Sequence, residues 1–287
     1  MKKSKKIKLF VIWSVIVIYI LSMAFFFSGK YNKTECKAVE VKILDSSGIK
    51  LLGKEEVLEL VNKYTENKTV GYDFKTIKIY KLEEQLNKNP YLESAEVYRN
   101  ASGVLKIEIT QRKPILRIIN KDGNSFYIDN QGVIIPFAKN YTSYQIIANG
   151  NIEGNFSFEN KDSLPVLDKI DNKIIYDLYV IANYINKNEF FLAQIEQIYV
   201  NENSEFELIP RVGDHYVEFG TAENYEEKFE NLKIFYKKVL NKVGWDKYEK
   251  ISVKYNNQIV GTYFWKIKYK YYLCKFIKCK IKIISLA

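Results

Sequence analysis

The chain has 287 residues and a net charge of +10. Twelve of its 44 basic residues lie at the two ends, five in residues 1–8 and seven in residues 266–287, and neither stretch holds an acidic residue. A nucleic-acid interface needs basic residues gathered on a folded face, so this distribution argues against nucleic acid as a partner. The length allows one or two domains, and the many aromatic and branched residues can build a core, which favours a folded chain over a disordered one.

Residues 1–8 predict a basic cytoplasmic tail, and residues 9–27 predict a transmembrane helix. The apolar run has 19 uncharged residues, which at about 1.5 Å per residue span roughly 28 Å of the ~30 Å hydrocarbon core. The lysines favour a cytoplasmic N-terminus, with the rest of the chain outside. A cleaved signal peptide is the alternative, because Ser22-Met23-Ala24 offers a small-residue cleavage site. The length of the run favours a retained anchor.

The next region, residues 36–114, predicts a domain with the order strand, helix, helix, strand, strand. The spacing of apolar residues indicates strands at 38–44, 94–98 and 105–110, and helices at 53–63 and 74–88. Asn89-Pro90 ends the second helix, and the pair Glu83-Glu84 predicts a solvated helix face. We expect a shared core of eight apolar residues: Val39, Ile43, Val57, Val61, Leu82, Leu86, Val97 and Ile107.

Residues 115–265 predict a second domain, in which a mixed sheet carries two helices. The helices are expected at 172–186 and 223–241, where apolar residues recur at helical spacing. The pair Asn149-Gly150 predicts a turn. Short strands are expected at 115–119, 125–128, 132–136, 144–148, 194–200, 205–210, 216–219 and 251–263. The chain is therefore predicted to be an α+β protein.

No group of residues predicts catalysis, a metal or a cofactor. A Ser-His-Asp hydrolase needs a histidine base, but His215 is the only histidine and no nucleophile motif accompanies it, so we expect it on the surface. Three cysteines give no metal spacing, and no glycine-rich phosphate loop follows a strand. Two distant carboxylates of a glycosidase have no sequence signature. A membrane-tethered peptidoglycan enzyme therefore stays open as the alternative function.

The last segment, residues 266–287, differs in composition from the rest of the chain. It has seven lysines and no acidic residue, glycine or proline. Such a basic, apolar stretch is compatible with binding to an anionic membrane surface. We favour the alternative that the segment is an extension without a role, and we predict no function for it.

Five short motifs, in order, carry a resemblance to a known family. The first is residues 89–99, with Pro90, Ala95, Val97 and Arg99 at the entry to a strand. The others follow as residues 105–109 with the junction Arg112-Lys113-Pro114, residues 127–132 with Asp129 and Gly132, Phe219-Gly220 with Lys228 and Leu232, and Lys254-Tyr255. Behind a lysine-flanked anchor, this arrangement resembles the FtsQ/DivIB family of bacterial cell-division proteins over about residues 1–263. The junction departs from the family, which often has an acidic residue where this chain has Gln111.

The resemblance implies a non-enzymatic scaffold of the divisome, with a POTRA domain at 36–114 and a β-domain at 115–265. It implies a single-pass protein of the bacterial inner (plasma) membrane, with its bulk outside the cytoplasm at the division septum. The POTRA domain would help to recruit the protein there. The β-domain would bind small single-pass coiled-coil division proteins that are FtsB/FtsL-like. The resemblance implies no cofactor.

The partner-binding site is predicted in the last strand, at Tyr255, Asn257, Gln258, Ile259, Val260 and Gly261. An exposed edge strand offers unpaired N–H and C=O groups, to which a partner can add a strand. Tyr255 matches a tyrosine of the family's last strand, and tyrosine is a frequent interface anchor. An ordinary covered strand is the alternative for this segment.

Overall fold

The computed structural model describes residues 12–25, 35–44, 51–138, 145–158, 164–255 and 258–264. Of the predicted anchor, residues 12–25 are described and form helix α1. None of the helices within the described residues has both the length and the apolarity for a membrane crossing. The predicted tails at 1–8 and 266–287 lie outside the described residues. The remaining chain folds into two compact units, which divide between Lys113 and Pro114 except for two short segments, 135–143 and 157–164, that group with the first.

The first unit is a three-stranded sheet with two helices. Its elements are β1 (Ala38–Ile43), α2 (Lys54–Tyr64), α3 (Ile79–Asn87), β2 (Leu92–Arg99) and β3 (Val104–Gln111). The strand order is β1-β3-β2, in which β3 is parallel to β1 and antiparallel to β2. The predicted order of strand, helix, helix, strand, strand is confirmed.

The predicted core of the first unit is also confirmed. Six of its eight residues are buried, and the other two, Val39 and Ile43, pack against them half-buried. Along β3 every second residue is buried, because successive side chains point to opposite faces and the helices cover one of them. At the end of this face lies Gln111, whose side-chain Oε1 accepts from the backbone N–H of Leu51 at 2.7 Å and whose Nε2 donates to the Leu52 carbonyl at 2.9 Å. A carboxylate at this position could not donate the second bond.

Two details of the first unit differ from prediction. Helix α3 begins at Ile79 and not at Phe74, because the Asp73 side chain accepts from the Lys75 N–H and the Thr76 N–H donates to the Asp73 carbonyl. These bonds make a turn that competes with the helix. The predicted solvated face at Glu83 is also wrong, because Glu83 is half-buried and accepts a hydrogen bond from the Val97 N–H at 2.9 Å.

The second unit holds a nine-stranded mixed sheet with helices, and only residues 135–136 of this sheet group with the first unit. Its strands are β4 (Pro114–Ile119), β5 (Ser125–Asp129), β6 (Ile134–Pro136), β7 (Ile146–Gly150), β8 (Ile195–Val200), β9 (Phe206–Pro210), β10 (Tyr216–Gly220), β11 (Tyr248–Ser252) and β12 (Val260–Tyr263). Its helices are α4 (Lys173–Lys187), α5 (Glu189–Gln194), α6 (Tyr225–Phe235) and α7 (Asn241–Val243), with a 3₁₀ turn at Leu167–Lys169 and a π-helical segment at Tyr236–Leu240. The strand order is β12-β11-β10-β9-β8-β7-β4-β5-β6. The α+β class with a mixed sheet is confirmed.

The long helices of this unit follow the predicted apolar stripes with two shifts, the first of which buries Ile175 of α4 where the predicted stripe has Ile174, a half-buried residue. Ile175, Leu178, Ile181 and Ile185 of α4 are fully buried, and the side chain of Asn172 caps the helix by accepting from the Ile175 N–H. After α6 the π-helical segment inserts one residue into the turn. It therefore places Leu240 in the core, where regular spacing predicts Val239. Helix α5 was not predicted, because six residues are too few for a helical period.

The predicted turn at Asn149-Gly150 is wrong, because both residues belong to strand β7 and pair with Tyr199 and Val200 of the parallel strand β8. Gly150 has φ +103°, and a Cβ there would lie 2.2 Å from the Val200 carbonyl oxygen. Glycine is therefore required here because the backbones of two strands approach closely. Within a strand, glycine can indicate such a close approach instead of a turn.

The predicted single strand at 251–263 is also wrong. The chain forms two antiparallel strands here, β11 and β12, joined by residues 253–259. The Asn256-Asn257 pair interrupts the apolar alternation in the sequence, and asparagine is a turn former. The prediction was wrong because it followed the apolar alternation of the segment and not this turn signal.

Candidate functional site

Strand β12 lies at one end of the second sheet and pairs only with β11 among the described strands. Its burial is low for a strand, with Val260 43% exposed and Tyr263 57% exposed. Strand β11 behind it is covered, and Ile251 is fully buried. The sheet therefore ends in an accessible strand that rests on a buried one.

The pairing of β11 shows which backbone groups of β12 face away from the sheet. The Val253 N–H donates to the Glu218 carbonyl of β10 at 3.0 Å, so by alternation Ile251 also directs its N–H and C=O toward β10. Ile251 is the register partner of Gly261. Ile251 and Gly261 therefore form a non-hydrogen-bonded pair of the antiparallel ladder, in which the N–H and C=O of each residue point away from the other strand. The N–H and C=O of Gly261 thus point to the side of β12 that faces away from β11.

The side-chain face over Gly261 is occupied by the ring of Tyr248. A Cβ at position 261 would lie 2.5 Å from Tyr248 Cε1, a distance that no real contact tolerates. Gly261 is therefore required by the packing of an aromatic ring over the strand, in the way that aromatic side chains cover edge glycines elsewhere. Gly261, one of the predicted partner-binding residues, is thus constrained from within the chain by Tyr248.

Tyr248 is the centre of an aromatic cluster that holds β12. Its ring stacks on Tyr263 with centroids 4.8 Å apart, and Phe235 of α6 meets it edge-on at 5.5 Å. Lys247 Nζ lies 5.7 Å from the Tyr263 ring centre, a cation–π contact. A hydrogen bond with the Tyr263 hydroxyl raises the pKa of Tyr248, and burial adds to the shift. The strand is thus attached by side-chain stacking as well as by its ladder.

The segment before β12 is tied down at Lys254. Its ammonium group makes an ion pair with Glu205, and this hydrogen bond raises the pKa of Lys254. The lysine stem crosses Gly220, where a Cβ would lie 2.9 Å from Lys254 Cγ. Tyr255 follows directly and is 50% exposed. Its position is therefore set by Lys254 and not by a strand.

The structure separates the predicted site residues into two groups. Val260 and Gly261 lie in the edge strand, whereas Tyr255, Gln258 and Ile259 lie in the connection that leads to it. Asn257 lies outside the described residues. Thr262 and Tyr263, which the predicted site does not include, are exposed members of the same edge. The turn-forming pair Asn256-Asn257 in the sequence is the signal that could have moved the predicted strand toward them.

His215 is buried, contrary to the prediction of a surface histidine. It is 3% exposed, its Nε2 lies 3.0 Å from the Tyr236 hydroxyl, and its ring lies 6.3 Å from the ring of Trp245. Burial lowers the pKa of His215, against the opposing effect of the Trp245 carbonyl and of Asp214 and Asp246. Within the described ranges, no group of three His, Cys, Asp or Glu side chains is placed to hold a metal ion.

Comparison with known proteins agrees with this architecture. A model of a POTRA-like domain matches residues 34–110, and a model described as FtsQ/DivIB, C-terminal related, matches residues 113–262. Together they define a protein with a POTRA-like domain followed by a mixed-sheet domain of the FtsQ/DivIB type. Since the second model matches more than half of the chain, the chain belongs to the FtsQ/DivIB family.

Two relatives in this family are similar over most of their length. A cell division protein FtsQ of Geotalea daltonii is 23% identical over 219 residues, which cover 76% of this chain and 73% of the relative. A cell division protein FtsQ of a Geobacter species is 24% identical over 224 residues, which cover 75% of this chain and 76% of the relative. The family predicted from the sequence motifs is confirmed.

Proposed function

We propose that this protein is a non-enzymatic scaffold of the bacterial divisome, which links division proteins at the septum. The name of the two relatives, cell division protein FtsQ, supports the process. The observation that carries the molecular role is the exposed edge strand β12 in the domain matched by the family model. A scaffold needs a surface on which another chain can dock without chemistry, and an open strand is such a surface.

The proposed contact is β-augmentation along β12. The outward N–H and C=O of Gly261 begin the ladder, and Val260 and Thr262 expose side chains on the face opposite Tyr248. Tyr255, Asn257, Gln258 and Ile259 precede the strand in the sequence, and we propose that they contact the partner at its start. The proposed partners are small single-pass coiled-coil division proteins, FtsB/FtsL-like, which can extend a short strand beyond a helix.

The remaining parts of the proposal concern topology and recruitment. Residues 1–8 stay in the cytoplasm, residues 9–27 form the anchor in the inner membrane, and the domains at 36–114 and 115–265 lie outside the cytoplasm. The lysines before the apolar run and its length support this orientation. The POTRA-like domain would help to recruit the protein to the septum, as the family resemblance implies.

The test is copurification of the full chain with its membrane neighbours from dividing cells. Val260→Lys is expected to remove the single-pass partner, because a charge on an exposed edge strand disfavours an added strand. Tyr255→Ala is expected to weaken the complex by about 2 kcal/mol, roughly 30-fold, if this tyrosine is an anchor of the interface. Partner recovery at matched expression levels is the measurement.

Two matched controls separate the edge from the general surface. Val212 is 48% exposed and Tyr199 is 39% exposed, and both lie outside β12 and its connection. Val212→Lys and Tyr199→Ala are expected to keep the partner. Normal recovery with Val260→Lys would show that β12 is not the docking strand. Hydrolysis of purified peptidoglycan by the wild-type chain would contradict the non-enzymatic role and support the alternative cell-wall enzyme.

A further inference from the structure

A second surface of interest lies on the first unit, far in sequence from β12. An open cleft of about 520 Å³ separates the C-terminal end of α2 from the start of α3. Four lysines line it, namely Lys63, Lys68, Lys78 and Lys81, together with the single acidic residue Glu66. The cleft is therefore strongly basic for its size.

The cationic charge of the cleft is mostly uncompensated. Lys68 makes an ion pair with Glu66 at 2.6 Å, but no ion pair among the described residues engages Lys63, Lys78 or Lys81. Residues 63–81 contain five lysines and only two acidic residues, Glu66 and Asp73. Like charges gathered on one surface repel each other, so such a cluster is more stable when an anion covers it.

The cleft lies beside the point at which the chain enters the first unit. The Cys36 N–H donates to the Tyr72 carbonyl at 2.8 Å, and the Gly71 N–H donates to the Cys36 carbonyl at 2.7 Å. The segment that receives the entering chain therefore connects Lys68, on one side of the cleft, with Thr76, on the other. Nine residues separate α1 from Glu35, and they can span at most about 30 Å.

The same segment exposes apolar side chains. Val70 is 55% exposed and Tyr72 is 44% exposed, and Tyr80 in the first turn of α3 is 77% exposed. Lysines next to exposed tyrosine and aliphatic side chains are the combination found on surfaces that contact lipid headgroups. A phosphate in solution would be held by the lysines but would leave these apolar residues in water.

We propose that the cleft of residues 63–81, with Val70 and Tyr72, is a membrane-contact surface that binds anionic phospholipid headgroups. This inference rests on the anchor in the proposed function, because the anchor holds the surface close to the bilayer. The contact orients the first unit on the membrane and so limits the directions in which the remaining chain extends. It uses residues that the partner-binding edge does not.

Hydrogen–deuterium exchange of the full chain in lipid nanodiscs tests the proposal. Exchange of residues 68–82 is expected to slow by about fivefold or more in discs with phosphatidylglycerol, relative to discs of phosphatidylcholine alone. Raising the salt to about 1 M is expected to remove the difference, since the screening length then falls to ~3 Å. Exchange of the buried β3 residues reports whether the unit stays folded.

Charge reversals identify the surface. The double variant Lys78→Glu, Lys81→Glu is expected to lose the protection, whereas Lys238→Glu, Lys242→Glu, which changes two exposed lysines of the second unit by the same charge, is expected to keep it. Equal protection from millimolar inorganic phosphate in phosphatidylcholine discs would show a phosphate site and overturn the membrane contact.

The remaining outcomes separate this inference from the proposed function. If the chain enters the discs and exchange is the same in both lipids, the membrane contact is wrong and the anchor and partner edge stand. If the chain does not enter the discs, the anchor is wrong and the membrane contact fails with it.

Discussion

The edge strands β2 and β12, one from each sheet, differ in whether side chains satisfy their outer backbone groups. At the edge of the first sheet, the Ala95 N–H of β2 donates to Asn87 Oδ1 at 2.8 Å, Asn87 Nδ2 donates to the Ala95 carbonyl at 3.0 Å, and the Val97 N–H donates to Glu83. Two side chains of α3 thus satisfy three of the outer backbone groups of β2. At the edge of the second sheet, the outward groups of Gly261 in β12 meet no described element.

An edge strand can accept a partner strand only where the rest of the fold leaves its outer backbone groups free. Edge strands are hazards for aggregation, and proteins usually cover them. In this chain, side chains of helix α3 cap the edge of β2. The edge of β12 has no such cap among the described residues, and the Tyr248 ring packs on one face of the strand. We infer that a partner strand pairs with the edge of β12 that no described element covers, and the following experiments are ordered from the largest expected effect to the smallest.

The largest effect is expected from Tyr248→Ala. The substitution removes the ring that covers Gly261 and stacks on Tyr263 and Phe235, so it should lower the free energy of unfolding of the second unit by about 3–5 kcal/mol. Partner recovery should fall with it, because β12 loses its support. Urea unfolding followed by fluorescence of Trp245 measures the change.

Tyr248→Phe is the control, since it keeps the ring and removes only the hydroxyl group. Its expected cost is about 1 kcal/mol or less. A loss equal to that of the alanine variant would mean that the hydroxyl bond, and not the ring, holds β12.

A smaller effect is expected from Gly261→Ala. The added methyl would lie 2.5 Å from Tyr248 Cε1, so either the ring or the strand must move, at a cost of about 1–3 kcal/mol. The outward N–H and C=O should then be displaced and the partner complex weakened. The urea midpoint and partner recovery are the measurements.

Gly53→Ala is the matched control in the first unit, because a Cβ there has only ordinary contacts, the nearest at 3.5 Å. It lies at a helix N-terminus, where exchange of glycine for alanine costs under about 1 kcal/mol. Equal losses in both variants would show that the close contact with Tyr248 does not constrain β12.

Glu83→Ala is expected to uncap the edge of the first sheet. Loss of the acceptor for the Val97 N–H should cost about 1–2 kcal/mol and expose part of β2. Self-association of the chain should rise, because an uncapped edge pairs with other strands. Urea unfolding and sedimentation velocity measure the two effects.

Glu83→Gln and Glu84→Ala are the controls for the cap. Glutamine keeps an acceptor oxygen, and Glu84 is exposed and makes only an (i,i+4) ion pair with Lys88 at 3.1 Å, so each should change stability by no more than about 0.5 kcal/mol. An unchanged Glu83→Ala protein would remove the contrast between the two edges.

The smallest effect is a pH dependence confined to the second unit. Burial lowers the pKa of His215 in the folded state, so the unfolded chain binds a proton that the folded chain does not. Stability is therefore complete above the unfolded pKa of about 6.5 and falls as the pH drops below it. Urea midpoints at about pH 7.5 and 5.5 should differ for the second unit.

His215→Gln is expected to flatten this dependence, since it removes the titrating group at the start of β10. The first unit has no histidine, so its midpoint should change little over the same interval. An equal shift of both units would assign the pH effect to groups other than His215.

Much of the fold could be predicted because apolar residues recur at regular helical or strand spacing in both units. The core stripes of α2, α3 and α4 repeat at helical spacing, and β3 alternates strictly, so local pattern and tertiary burial agree. The predictions were wrong where a short sequence motif was compatible with two different local structures. Asn149-Gly150 is a turn signal in isolation, but its glycine serves the contact with Val200, and no local rule distinguishes the two.

For the candidate site, the sequence predicted the approximate position along the chain but not the contacts that form the site. Val260 and Gly261 are in the edge strand as predicted, whereas Tyr255 lies outside any strand. The side chain that makes Gly261 necessary, Tyr248, comes from a neighbouring strand and was not predicted. Pairing partners across a sheet are not encoded in the spacing of one segment.

By itself, the sequence determined the α+β class, the strand-helix-helix-strand-strand order of the first unit and membership of the FtsQ/DivIB family. These follow from hydrophobic period and short motifs, which act over a few residues. Only the tertiary structure decided that His215 is buried, that Glu83 and Asn87 cap one sheet edge, and that β12 ends the other sheet with no further described strand beside it. Those features depend on which segments meet in space, and burial and hydrogen bonding between distant residues set them.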